Sequence, residues 1–227
     1  MDHAKGIDIL ETIEIESGRN PKAAVIWLHG LGADGNDFVP IVDELHLPAT
    51  LAVRFVFPHA PMIPVTVNNG YVMRAWYDIS FDGVDRRPDE TGIRSSQGQI
   101  EELIAREKSR GIAARRIVIA GFSQGGAITL QTGLRCPEAL GGLMVLSSYL
   151  PLAAQVAAER SAANAGTSIF MAHGTYDPVI AIALAQRSVA QLTELGYPTE
   201  WREYPMQHSV CAEEIADISR WLQNVLA

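Results

Sequence analysis

From Lys22 onward, short apolar runs alternate with stretches of helical period. Runs of β-branched and aliphatic residues with no polar face read as strands buried on both sides. They fall at Ala23–Leu28, Ala52–Phe57, Arg116–Ala120, Gly142–Ser147 and Ser168–Ala172, with Thr199–Tyr204 as a weaker, alternating candidate. Ile7–Ile15 reads as a half-buried opening strand at a sheet edge, because Ile13 and Ile15 alternate with Glu14 and Glu16. Between the strands, Phe38, Ile41, Val42 and Leu45 share one helix face behind a cap at Asn36, and Ile100, Leu103 and Ile104 precede a stop at Gly111. Helices at Gln124–Leu134, Ile180–Leu195 and Ala212–Leu226 complete the set. Strand and helix in alternation predict an α/β fold: a mostly parallel central sheet with helices on both faces.

One stretch breaks the pattern. Residues 58–91 are long for a connection, rich in Pro and Gly, and carry Asn69-Gly70 between alternating apolar residues, which signals a hairpin. With Met62, Ile63, Tyr71, Met73 and Trp76 on it, the segment reads as an apolar flap over a site. The rest shows no repeat and no linker, so residues 1–227 are expected to form a single domain.

Charge and cysteine content narrow the function. The 18 basic and 26 acidic residues give a formal charge of −8, which opposes binding to a nucleic-acid backbone or an anionic surface. Cys136 and Cys211 have no metal-ligand spacing and form no disulfide framework, as expected of reduced thiols in a cytoplasmic setting. Asp2, Asp8, Glu11 and Glu14 interrupt the region where a signal peptide needs an apolar stretch, and no run reaches membrane-spanning length. Secretion by that route and membrane insertion are not expected.

The chemistry begins at Gly121-Phe122-Ser123-Gln124-Gly125, directly after a buried strand and at the start of a helix. A serine in a sharp strand-to-helix turn has its hydroxyl exposed for attack, and small residues two positions either side let strand and helix pack closely. No Lys follows as a phosphate loop requires, and the second glycine spacing of a dinucleotide site is missing. A serine hydroxyl needs a neutral imidazole to take its proton and a carboxylate to orient that imidazole, and this arrangement delivers them in the order Ser, acid, His. Only His173 and His208 follow Ser123, and His173 precedes every plausible strand-end carboxylate, which leaves His208 as the base. Asp177 is the only aspartate between Ser123 and His208 and lies in a turn just past a strand. Ahead of Pro178 it also reads as a helix cap, and the two roles are compatible. Two backbone N–H groups should meet the charge that develops on the substrate carbonyl: Gln124, at a helix start, and Leu31, in the glycine-flanked His29-Gly30-Leu31-Gly32. His29 reads as a packing residue supporting that loop.

Val25–Gly35, Ala75-Trp76-Tyr77-Asp78, Ala120–Gly126 and His173-Gly174 with Asp177–Val179 resemble, in order and spacing, the blocks of the carboxylesterase and acyl-protein thioesterase family, also described as phospholipase/carboxylesterases. The resemblance runs nearly end to end. It implies an α/β-hydrolase fold with no large cap domain and Ser123, Asp177 and His208 as catalytic triad. It further implies Leu31 and Gln124 as oxyanion donors, and a substrate pocket walled by the flap around Trp76, for which Leu31, Tyr71, Met73 and Val179 are further expected contacts. It implies hydrolysis of short- to medium-chain acyl esters, thioesters or lysophospholipids with no metal or cofactor, and pairing as a homodimer. Gln207 departs from the family, which usually has glycine before the catalytic histidine. A non-catalytic small-ligand binder on the same fold, or a lactonase or peptidase, are the competing readings.

Overall fold

The computed structural model describes residues 9–82 and 85–227. Its core is a seven-stranded sheet formed by β1 (Thr12–Glu16), β2 (Ala23–Leu28), β3 (Val53–Pro58), β8 (Ile117–Phe122), β9 (Gly142–Leu146), β10 (Ile169–Gly174) and β11 (Thr199–Tyr204), in the spatial order β1-β3-β2-β8-β9-β10-β11. Every pairing is parallel except β1 with β3, so the opening strand caps one edge antiparallel, with Ile13 opposite Phe57 and Ile15 opposite Phe55. Of the predicted Ile7–Ile15 strand, Ile7 and Asp8 lie outside the described residues, and Ile9–Glu11 are not strand: β1 begins only at Thr12, where pairing with Pro58 at the end of β3 starts. The other predicted strands form within two residues of their expected bounds.

Alternation along the strands sorts the core into two layers. Ala24, Ile26 and Leu28 of β2 face one apolar cluster, together with residues of α2 (Glu90–Ser109), α3 (Gln124–Gly133) and α5 (Ile182–Glu194). Ala23, Val25 and Trp27 face the other, against α1 (Ile41–Glu44) and α6 (Ala212–Val225). Helices therefore cover both faces, as the alternating pattern predicts, and a four-residue α4 (Val156–Glu159) lies in the β9–β10 connection.

Two helix expectations need correction. Asn36 caps no helix: its N–H and side-chain amide both bond Asp34, and residues 37–40 form successive turns before the short α1. Pro40 accounts for this, because it has no N–H to extend a helical ladder back toward Asn36. The helix ending before Gly111, by contrast, starts far earlier than its apolar spacing indicates, at Glu90, where the Asp89 carboxylate caps it by accepting from Gly92 N–H at 2.9 Å. Gly111, at φ +91°, supplies the expected stop.

The segment expected to act as a flap is pinned down. β4 (Met62–Val65) and β5 (Tyr71–Arg74) form the hairpin, and Asn69 and Gly70 both take the positive φ its turn requires. The sequence did not signal a second hairpin, β6 (Ile79–Asp82) with β7 (Asp85–Pro88). Asp78 ties the first hairpin down, accepting from Thr66 N–H at 2.7 Å and from the Thr66 hydroxyl at 2.6 Å, while its own N–H donates to Asp89.

Chain order fixes where a site must lie. From β2 the chain runs outward to β3 and then returns to β8 on the opposite side of β2, which opens a crevice at the carboxyl ends of β2 and β8. His29-Gly30-Leu31 leaves one of these strand ends and Ser123 the other.

Candidate active site

Ser123 is held at φ 54° and ψ −118°, a backbone state that costs a non-glycine residue of order 1–3 kcal/mol and persists only where its surroundings enforce it. Its N–H donates to Leu146 O at 2.8 Å, and its carbonyl accepts from the Ser148 hydroxyl at 2.6 Å and from Gly126 N–H at 3.1 Å. The glycines around it are steric requirements. A Cβ on Gly121 would stand 2.3 Å from the Gly125 backbone, and one on Gly125 would stand 2.4 Å from Leu28 O.

Asp177 and His208 come from neighbouring loops, after β10 and β11. The Asp177 carboxylate is fully buried. Its Oδ1 accepts from Val179 N–H at 2.8 Å and Ile180 N–H at 2.9 Å, while His208 Nδ1 lies 2.7 Å from Oδ2. Asp177 closes a local turn ahead of α5 rather than capping that helix, whose N-cap is Ala181 with no side-chain bond. Pro178 and the following bend keep the chain out of helix until Ile182, and the carboxylate is at the same time the partner of an imidazole. Burial pushes this carboxyl up, but the His208 hydrogen bond and the two backbone N–H groups outweigh it and hold it below the usual aspartate range. Nδ1 therefore faces an ionised acceptor, which turns Nε2 away from the carboxylate as the nitrogen able to take a proton. The His208 ring packs on Phe122, the residue before the serine, with centroids 4.7 Å apart.

Gln207, where the family pattern has glycine, is exposed and does not take a positive φ, so its turn does not need glycine. The close approach falls instead at Gly174, where an added Cβ would stand 2.3 Å from Gln207 O and 2.4 Å from Met206 O.

The loop after β2 is built around His29. Its Nδ1 lies 2.7 Å from Gly30 O and its Nε2 accepts from Ala60 N–H at 3.0 Å, which places the ring proton on Nδ1. Burial pulls this imidazole down to about 4, so it stays neutral and serves as the loop support expected from the sequence. Gly30 lies against the nucleophile turn, since a Cβ there would meet Phe122 at 3.3 Å and the Ser123 Cβ at 3.5 Å. Gly32 N–H donates to Arg74 O at the foot of the flap hairpin, and Leu31 N–H has no backbone acceptor among the described residues. Gln124 opens α3, where a helix supplies no acceptor for the amide of its first residue.

The expected pocket residues divide. Trp76 is 2 % exposed and acts as an anchor, with Nε1 donating to His29 O at 2.9 Å. Leu31 and Met73 are half-buried, with Met73 Sδ 3.7 Å from where a Gly32 Cβ would stand, while Tyr71 and Val179 are exposed. None of the five lines the apolar cavity of about 430 Å³ bounded by Tyr77, Ile93, Tyr149, Leu150, Leu152 and Leu184. Spacing gave no sign of these residues, although the position of Tyr149 shortly after the carboxyl end of β9 could have suggested one of them. The sequence also gave no sign of the Gln124 side chain, which accepts from Trp76 N–H at 2.8 Å and donates to Tyr77 O at 2.7 Å.

Against this geometry, residues 10–226 match the phospholipase/carboxylesterase family. The chain belongs to that family. Among its relatives, an acyl-protein thioesterase 1 from Neurospora crassa is 43 % identical over 90 % of this chain and 87 % of its own length. One from Mycosarcoma maydis is 38 % identical over 97 % and 99 %. The crystal structure of Zea mays acyl-protein thioesterase 2 superposes with a TM-score of 0.84 at 26 % identity, covering 96 % of this chain and all of that one. The fold is that of an α/β hydrolase, and this member of the phospholipase/carboxylesterase family is a serine hydrolase acting on acyl esters or thioesters. Among the described residues no helix is long and apolar enough to cross a membrane.

Proposed function

We propose that Ser123, His208 and Asp177 act as one triad that cleaves short- to medium-chain acyl esters and thioesters through an acyl-serine intermediate. The observation that carries this reading is the 2.7 Å Asp177–His208 hydrogen bond, whose imidazole packs on the residue next to a serine in a strained turn. Ser123 Oγ attacks the acyl carbonyl carbon while His208 Nε2 takes its proton, and Leu31 and Gln124 N–H receive the carbonyl oxygen as it gains charge. The C–O or C–S bond then breaks, the leaving alkoxide or thiolate takes the proton from His208, and the acyl group stays on Ser123. Water, deprotonated by the same imidazole, releases the acid and restores the serine.

The cavity beside Tyr77 and Tyr149 is apolar and of a size that suits an acyl chain, and its two tyrosine hydroxyls lie 2.7 Å apart. One domain over residues 1–227 with residues 58–91 as its flap, and a reducing cytoplasmic setting for the two unpaired cysteines, complete the reading. So does a homodimer, which would elute near twice the 24.7 kDa chain mass.

Turnover of p-nitrophenyl esters of graded chain length, the matching thioesters and the matching amides, by the native enzyme and Ser123→Ala, tests the proposal. Esters and thioesters should turn over and amides should not, with the activity lost in the variant. Native rates in Ser123→Ala would overturn it, and turnover of amides alone would favour the peptidase reading.

A further inference from the structure

The end of β9 grips the nucleophile turn on both sides. Leu146, the last residue of that strand, takes the Ser123 N–H on its carbonyl at 2.8 Å, and Ser148, two residues on, donates its hydroxyl to the Ser123 carbonyl at 2.6 Å. Ser147 between them stands at φ 49°, a left-handed state uncommon for a non-glycine residue, while its N–H stays on Ala172 O of β10 at 2.8 Å. The chain is therefore kinked where it passes Ser123, and residues 146 and 148 hold the N–H and the C=O of one residue. Gly126 makes room for this approach, because a Cβ there would stand 2.6 Å from the Ser148 Cβ and 2.9 Å from its Oγ. Ser147 and Ser148 are both buried.

The Ser148 bond gains its importance from the peptide unit it holds. A trans peptide is planar, so its C=O and the following N–H point in opposite directions. Ser123 C=O and Gln124 N–H belong to one such unit, and whatever fixes the carbonyl oxygen also aims the N–H proposed for the oxyanion site. Helix α3 supplies two donors to that oxygen, Gly126 N–H at 3.1 Å and Ala127 N–H at 3.3 Å. The Ser148 hydroxyl makes the shortest of the three contacts, and the only one of them from outside α3. It anchors the first peptide of the helix to the sheet. By drawing charge onto the carbonyl oxygen, it also makes the opposite N–H a better donor.

Resting on the oxyanion reading above, we propose that Ser148 is a positioning residue for the oxyanion site: its hydroxyl holds the Ser123 carbonyl so that Gln124 N–H points at the charge developing on the substrate carbonyl. It touches no substrate and acts through the Ser123–Gln124 peptide. Its effect is therefore felt when the carbonyl oxygen gains charge, and little when substrate binds.

The test compares three variants in the full chain. Ser148→Ala removes the donor but strands nothing, since Ser123 O keeps its two helix N–H groups. Ser148→Cys keeps the volume with a much weaker donor, and Ser148→Thr keeps the hydroxyl. Each is assayed on a p-nitrophenyl ester and on its thionoester, whose C=S sulfur is a poor acceptor and draws little from the oxyanion donors. The proposal predicts that kcat for the ester falls about tenfold in Ser148→Ala and Ser148→Cys, with KM within about twofold. The thionoester should lose less than about threefold, and Ser148→Thr should recover most of the ester rate. Packing alone would leave Ser148→Cys near native, and a general loosening would slow both substrates equally. If Ser148→Thr fails to fold, the Ala and Cys pair carries the comparison. Native kcat in Ser148→Ala, or an equal loss on ester and thionoester, would overturn the assignment. The native enzyme separates the two levels. No preference for ester over thionoester removes the oxyanion reading itself, whereas a native preference that Ser148→Ala retains in full removes only the role of Ser148.

Discussion

The Gln124 side chain clasps the backbone on both sides of the Trp76–Tyr77 peptide, accepting from Trp76 N–H at 2.8 Å and donating to Tyr77 O at 2.7 Å. The residue whose own N–H is proposed for the oxyanion site thereby ties the first turn of α3 to the foot of the flap. Trp76 extends the link to the other proposed donor loop through its Nε1 bond to His29 O. The two halves of the oxyanion site are joined by a single chain of buried hydrogen bonds.

Gln124→Ala leaves the Gln124 N–H in place but strands the buried Trp76 N–H and removes a donor from Tyr77 O. The expected cost is about 1–3 kcal/mol of stability, because an unsatisfied buried N–H bears its full desolvation penalty. Thermal melts should show a lowered Tm, and kcat/KM should fall as the Trp76 segment loosens. A variant with native Tm and native kcat/KM would show that the clasp does no positioning.

The position of Asp177 shapes the pH profile. Its carboxyl lies below the usual aspartate range, so it is already ionised well before neutral pH and adds no ionisation of its own to the acid limb there. Only the base then limits the acid side, and kcat/KM should fall with unit slope as pH drops below neutral. A steeper limb, or a flat profile down to about pH 5 in a chemistry-limited assay, contradicts this. Asp177→Asn should lower kcat by roughly 10³–10⁴-fold, because an amide no longer fixes the ring tautomer.

Glu214 gives a pH signature of stability rather than of rate. It is fully buried in the first turn of α6, and burial pushes its carboxyl from 4.5 up to about 8, with a backbone contact at Cys211 offsetting only part of that. Between these two values the folded chain holds a proton that the unfolded chain has released, so stability falls as pH rises through this window. Below about 4.5 the penalty is absent, and above about 8 it is complete. Glu214→Gln removes the titration, and chemical denaturation from about pH 5 to 8 should show a flatter stability curve, with the variant ahead at the alkaline end by of order a few kcal/mol. Parallel curves for the two proteins would contradict the assignment.

Much of this architecture was readable from the sequence because it depends on local pattern. The buried strands announce themselves as apolar runs, and the Ser123 turn by glycines that the packing of β8 on α3 requires. The order of Ser123, Asp177 and His208 along the chain follows from strand order. What the sequence did not disclose depends on distant partners. Nothing near Gln124 signals that its amide reaches Trp76, 48 residues away. The start of α2 at Glu90 was hidden for a different reason. Its first turns carry few apolar residues, and the Asp89 cap lies in a segment that reads as loop. The cavity beside Tyr149 is assembled from the flap end, α2, the loop after β9 and α5, and no single stretch of sequence contains it.

The most direct test of the account is to treat the native enzyme, Ser123→Ala and His208→Ala with a fluorophosphonate and locate the adduct by peptide mass spectrometry. The account predicts stoichiometric label on Ser123 in the native enzyme, none at that position in Ser123→Ala, and labelling slowed by orders of magnitude in His208→Ala. Native-like labelling of Ser123 in the absence of the imidazole, or an adduct on any other residue, would contradict it.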